Sequence, residues 1–141
     1  MKHLASPDDI AFVRQFEDAT LPAAGFNHRA HLRVAYTYLC TASTDAATRQ
    51  MKAGLRHFLD QHGVDPAKFH ETMTCAWVLA VRHFMACAGP AASFNDFIAD
   101  NPRLLQASIM NTHYTNECLF SAAAARAFIE PDLTPIPRYA H

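Results

Sequence analysis

Two histidines, His28 and His31, stand three residues apart at the predicted start of a helix. This spacing puts both imidazole rings on one helix face, one turn apart. Zinc, iron, copper and manganese all accept neutral imidazole as a ligand. The pair therefore predicts a shared divalent metal ion, and its simpler alternative is a pair of hydrogen-bonded histidines near a helix N-terminus.

A third histidine, His70, directly precedes Glu71, one of four glutamates in the chain. Both residues fall in the first turns of the most apolar predicted helix, which runs from Asp65-Pro66 to about Ala88. Adjacent helical residues point about 100° apart, so the two side chains cannot aim squarely at one point. We expect one of them to bind a metal and the other to orient it or act as a base. The alternative for Glu71 is a helix-start carboxylate that the helix dipole favours.

A third cluster combines His113, Tyr114 and Glu117. His113 and Glu117 are four residues apart and would share a face if the segment were helical. Several Asn and Thr residues weaken its helix propensity, so a loop at the mouth of a site is an equal alternative. Tyr114 could donate a hydrogen bond or a proton.

Three separate segments therefore offer groups for one site. Helical bundles build metal sites in this way, because facing helices each supply one or two ligands. A catalytic metal usually has about three protein ligands and an open position. The predicted metal ligands are His28, His31 and His70, and the predicted catalytic acid–base groups are Glu71, His113 and Tyr114. Arg103 and Arg126 could bind a substrate carboxylate, although solvated or tail-pairing arginines are the simpler interpretation.

Periodic apolar residues and helix-capping signals recur along the whole chain, and no strand pattern competes with them. Ser6-Pro7, Asn27 and Ser121 are typical helix starts, and Gly63 is a typical helix end. The sequence predicts an all-α, single-domain, irregular bundle of about five to seven helices spanning residues 1–141. Residues 130–141 form an extended, proline-rich tail that we expect to lie over the bundle surface.

Composition excludes several classes of protein. The 141 residues include 18% charged side chains with a net charge of −1, which gives no basic surface for nucleic acid. No apolar run has the roughly 18 residues needed to span a membrane, and the first residues, MKHLASPDD, lack the apolar segment typical of a signal peptide. The four cysteines form no CxxC pair. We expect a cytoplasmic protein with a small-molecule substrate, and whether it forms a homo-oligomer is open.

The order of several short motifs resembles a family of small, mostly uncharacterised bacterial proteins. The motifs are FxHxxHL around His28, HET at His70, NPxLL at Asn101, HY at His113 and ARxFxxPD at Ala125. The resemblance covers about residues 20 to 135. It implies that His28, His31, His70 and Glu71 belong together, and it implies no particular reaction.

The leading hypothesis is a metal-dependent enzyme that acts on a small organic molecule, with zinc, iron, copper or manganese between the second and fourth helices and Glu71 moving a proton. A metal-free acid–base lyase or isomerase that uses the same residues is the first alternative. The second is a haem- or ligand-binding module without catalysis. A structural or partner-binding domain is the last.

Overall fold

Polar side chains begin every α-helix in the part of the chain that this computed structural model describes, residues 2–139. The seven helices are α1 Pro7–Glu17, α2 His28–Leu39, α3 Thr44–Gln61, α4 Glu71–Cys87, α5 Phe94–Asp100, α6 Asn116–Leu119 and α7 Ala122–Arg126. Their capping residues are Ser6, Asn27, Ser43, His70, Ser93, Thr115 and Ser121, and each accepts a hydrogen bond from a backbone N–H of the first turn. The predicted all-α architecture is confirmed.

Four 3-10 helices connect these elements, at Ala23–Gly25, Pro66–Lys68, Pro102–Leu105 and Ala107–Thr112. The second of them corrects the predicted start of the fourth helix. Pro66 opens only this short turn, and the backbone is extended at Phe69 and at His70 before α4 begins. The last helix, which the sequence predicts to start after Ser121, is short and ends at Arg126.

Helix α2 lies at the centre of the fold. From Val34 to Leu39 each of its residues is buried, and α1, α3, α4 and α5 pack around it. Helix α3 approaches α1 closely because Gly54 leaves room for the ring of Phe16. A Cβ atom at position 54 would lie 2.6 Å from that ring, which is closer than side chains can tolerate. None of the helices in the described range 2–139 has the length and hydropathy to cross a membrane.

A buried carboxylate joins three of these helices. Oδ1 of Asp9 accepts from Nε of Arg33 on α2 at 2.9 Å, and Oδ2 accepts from the backbone N–H of Ser6 and of Phe94, the first residue of α5. Burial opposes ionisation of Asp9. The two backbone donors and Arg33 outweigh it and lower the pKa of the carboxyl.

The tail follows the surface of the bundle, as the sequence predicts. The N–H of Leu133 donates to the carbonyl of His113 at 2.9 Å, and Ile136 inserts its side chain into the core. Residues 140 and 141, which complete the predicted tail, lie outside the described residues.

We expect Asp9→Asn to lower the free energy of unfolding by about 3 kcal/mol, because it leaves Arg33 without its charge partner at a buried junction. Urea unfolding followed by circular dichroism measures this change. The lowered pKa of Asp9 means that its contribution is present above about pH 4 and is lost as the pH falls further. The exposed neighbour Asp8 provides the control. Asp8→Asn should cost less than about 0.5 kcal/mol, and equal losses in the two variants would contradict the prediction.

Candidate functional site

His28 is the first residue of α2, and its ring lies between α2, α4 and the 3-10 helix at Pro102–Leu105. Its Nε2 lies 2.9 Å from the carbonyl oxygen of Leu104, and its ring packs edge-on against Trp77 with 4.5 Å between centroids. A carbonyl oxygen only accepts hydrogen bonds, so Nε2 carries the proton in this contact. A metal would have to bind Nδ1 or displace the Leu104 carbonyl.

His31 follows one turn later, and its Nε2 is buried. This atom has no hydrogen-bond partner among the described residues 2–139, and the ring lies 6.2 Å from that of Phe26. Burial, together with the neighbouring His28, lowers the pKa of His31 to about 4. His31 is therefore a neutral imidazole at pH 7, and its ring nitrogen lacks a partner.

His70 uses both of its ring nitrogens to hold the backbone. Nδ1 accepts from the backbone N–H of Met73 at 3.0 Å, which caps α4, and Nε2 lies 2.8 Å from the carbonyl of Leu119. These two bonds require a neutral ring with the proton on Nε2. The lone pair that a metal would need is already used.

Glu71, buried at the first position of α4, forms two ion pairs with α3. Oε2 accepts from Nζ of Lys52 at 2.7 Å, and Oε1 accepts from Nη2 of Arg56 at 3.1 Å. The Cys75 thiol donates to Oε2 as well. Burial opposes ionisation, but Lys52 outweighs it and lowers the pKa of Glu71. A carboxylate with a lowered pKa is a weak base, so these contacts favour a positioning role over proton transfer.

His113 and Tyr114 belong to the region that the tail covers. Nδ1 of His113 lies 2.6 Å from the carbonyl of Thr134, and the Tyr114 hydroxyl donates to the carbonyl of Ile129 at 2.6 Å. Burial, with the charge of Glu130, raises the pKa of Tyr114. His113 and Glu117 do not share one helix, because α6 begins only at Asn116.

The structure thus assigns the three predicted segments to different contacts. His28 and His31 share the first turns of α2, and His70 and Glu71 share the start of α4, while His113 and Tyr114 bond the C-terminal segment. Within residues 2–139, no group of three or more His, Cys, Asp or Glu side chains is arranged to hold a metal ion. To join His28 and His31 at a metal ion, the His70 ring would first have to release either the N–H of Met73 or the carbonyl of Leu119. This ligand set stays a prediction.

A cleft that the sequence did not predict lies between α3 and α7, beside Phe69. Its volume is about 650 Å³, and six of its lining residues are Arg56, Leu59, Asp60, Val64, Phe69 and Arg126. The guanidinium of Arg56 lies 4.4 Å from the centroid of the Phe69 ring. Arg126 was the one sequence signal for this cleft. Arg56 lies on α3 and Glu71 on α4, so their ion pair leaves no pattern in the local sequence.

Side-chain bonds hold the α7 wall of the cleft against α4. His70 bonds the carbonyl of Leu119 just before α7, and the Thr72 hydroxyl donates to the carbonyl of Ala127 just after it. The same hydroxyl accepts from the N–H of Ile129 at 3.0 Å. His70 and Glu71, which the sequence singles out, therefore hold two walls of the cleft in place. His70 positions the segment that leads into α7, and Glu71 positions Arg56.

Comparison with protein-family models, curated proteins and solved structures found no match for this chain. The resemblance described above therefore stays a prediction, and the function is argued from the site alone.

We expect His31 to make stability depend on pH. Its pKa in the folded state lies below the value of about 6.5 in the unfolded chain, so the unfolded state takes up the proton first as the pH falls. Wild-type protein should lose about 2 kcal/mol more stability than His31→Gln between about pH 7 and about pH 5. Urea unfolding at the two pH values measures the difference. His57→Gln, which changes an exposed histidine, is the control and should lose as much stability between the two pH values as wild type. If His31→Gln also lost as much as wild type, the prediction for His31 would be wrong.

We expect His70→Asn to leave the metal content of protein purified without an affinity tag unchanged, since neither ring nitrogen of His70 is free. Asparagine can still cap α4, but the bond to Leu119 is lost, which should cost about 1 kcal/mol. Elemental analysis and thermal unfolding test the two statements. Loss of a stoichiometric metal in this variant alone would restore His70 as a ligand.

Proposed function

We propose that the protein binds a small organic molecule in the cleft between α3 and α7. The observation that carries this proposal is a cleft of about 650 Å³ in which apolar walls meet charged side chains. Small-molecule sites in proteins typically enclose about 300–1,000 Å³ and combine apolar walls with a few polar groups that orient the ligand.

The fixed position of the cleft walls supports the proposal. Glu71 and the ring of Phe69 hold the guanidinium of Arg56, while His70 and Thr72 hold the chain on both sides of α7. Walls that are ordered before binding reduce the entropy lost on association. A ligand would therefore meet a site that is already formed.

The arrangement favours ligand binding without catalysis over the other hypotheses. Among residues 2–139, none of those that line the cleft is a histidine, so this part of the chain offers a haem iron no imidazole there. Glu71 lies behind Arg56, and its ion pairs make it a weak base. The metal-dependent enzyme and the metal-free acid–base enzyme stay alternatives that would use His28 and His31 elsewhere in the molecule.

A tryptophan placed in the cleft tests the proposal. Ala122 and Ala123 are both exposed residues of α7, but only Ala122 lines the cleft. A panel of trifluoromethyl-labelled aromatic fragments, comprising acids, amides and amines, would be measured by fluorine NMR. We expect at least one fragment to bind wild-type protein and the Ala123→Trp variant with equal affinity. Ala122→Trp should abolish that binding, because the indole fills the cleft.

Circular dichroism would first establish that both variants are as helical as wild type. Binding by no fragment, or binding that survives Ala122→Trp unchanged, would contradict the proposed function.

A further inference from the structure

Arg56 keeps most of its hydrogen-bonding capacity for a ligand. A guanidinium has five N–H donors. The ion pair with Glu71 uses Nη2 alone, at 3.1 Å from Oε1, and 59% of the Arg56 side chain is exposed. Cζ of Arg56 also lies over the Phe69 ring, 4.4 Å from its centroid, and this contact uses no donor. The remaining donors suit a planar oxyanion, which guanidinium groups bind through paired hydrogen bonds.

Lys52 makes the net charge of this region positive. Its ammonium lies 2.7 Å from Oε2 of Glu71, closer than Arg56 lies to Oε1. The one negative charge of Glu71 is thus shared by two cations, and the three side chains together carry a net charge of +1. Without Lys52, the Glu71 carboxylate would neutralise Arg56.

Arg126 adds a second guanidinium to the cleft. Its side chain has no ion-pair or hydrogen-bond partner among residues 2–139, in contrast to Arg138, which pairs with Glu130. Asp60, the one acidic residue lining the cleft, offsets a single charge. The net formal charge is therefore +1 when Arg126 and Asp60 are added to the cluster of Lys52, Arg56 and Glu71. This charge favours a ligand with one anionic group over a ligand with none or two.

The other walls require an apolar body on the ligand. Leu59, Val64 and Phe69 line the cleft beside these charges, with small alanine side chains on the α7 side. A group that fills this space would bury apolar surface, worth about 25 cal/mol per Å².

We infer that the ligand is a monocarboxylic acid with an aromatic or branched apolar body, whose carboxylate is bound by Arg56 and Arg126. This inference rests on the proposed function and adds the chemical class of the ligand. Glu71 and Lys52 act as positioning residues, because they hold Arg56 and leave its charge available without touching the ligand.

Matched probes test the inference. The acid is 4-(trifluoromethyl)benzoate, and its neutral counterpart of nearly equal shape is 4-(trifluoromethyl)benzamide. Dissociation constants would be measured by fluorine NMR at constant ionic strength. We expect the acid to bind wild-type protein about tenfold more tightly than the amide, because only the acid gains charge-assisted hydrogen bonds.

Charge-changing variants of the cleft should alter the affinity for the acid and leave the affinity for the amide unchanged. Arg126→Gln should weaken the acid about tenfold and leave the amide unchanged, and Arg126→Lys should recover part of the loss because it keeps the charge. Asp60→Asn should tighten the acid about threefold by removing a like charge. Arg49→Gln, which changes an exposed arginine of α3 outside the cleft, is the control and should match wild type.

The outcomes separate this inference from the proposed function. Equal binding of acid and amide, or insensitivity of the acid to Arg126→Gln, would overturn the carboxylate assignment while Ala122→Trp still abolished binding of both probes. Binding of both probes that survives Ala122→Trp would instead show that neither occupies the cleft, and the proposed function would fail with it.

Discussion

The first residues of α4 are the point on which the cleft depends. His70 ends the extended stretch before the helix and bonds Leu119, and Glu71 pairs with Lys52 and Arg56. Thr72 bonds the backbone of Ala127 and of Ile129, just after α7. Each side chain satisfies a polar group that burial would otherwise leave costly. Three consecutive residues, His-Glu-Thr, thus connect α3, α4 and α7 in the described part of the chain. The local sequence places a helix start where three elements meet, and the cleft is the space left between two of them.

The fold follows from signals that act over a few residues, which is why the sequence predicted most of it. Ser6, Asn27 and Ser121 mark helix starts by the chemistry of their own side chains, and apolar residues recur along the chain with the period of a helix. The error at the fourth helix comes from relying on such a local signal alone. Pro66 is a typical first helical residue, but α4 begins five residues later, at Glu71. There the ring of His70 caps the helix and also bonds the carbonyl of Leu119, 49 residues further along the chain.

The site could be predicted only in part, because its contacts join residues that are distant in sequence. Spacing drew attention to His70 and Glu71, yet it could not show that both ring nitrogens of His70 bind backbone groups. Nor could it show that the partners of Glu71 lie 19 and 15 residues earlier, on another helix. A histidine is equally suited to a metal and to a carbonyl. Only the position of the carbonyl decides between them, and that position is a property of the whole fold.

The attachment of α7 has a consequence for motion. This helix has only five residues, too few to be stable alone, and side-chain bonds to α4 tie its two ends to the bundle. A rare local opening of α7 would break its contacts with α4 and α6 and would leave the layers around α2 in place. Amide protons of residues 122–126 should exchange with solvent by such openings long before those at the centre of α2, whose exchange requires unfolding of the whole domain. A molecule lodged beside Phe69 would slow the first process and leave the second almost unaffected.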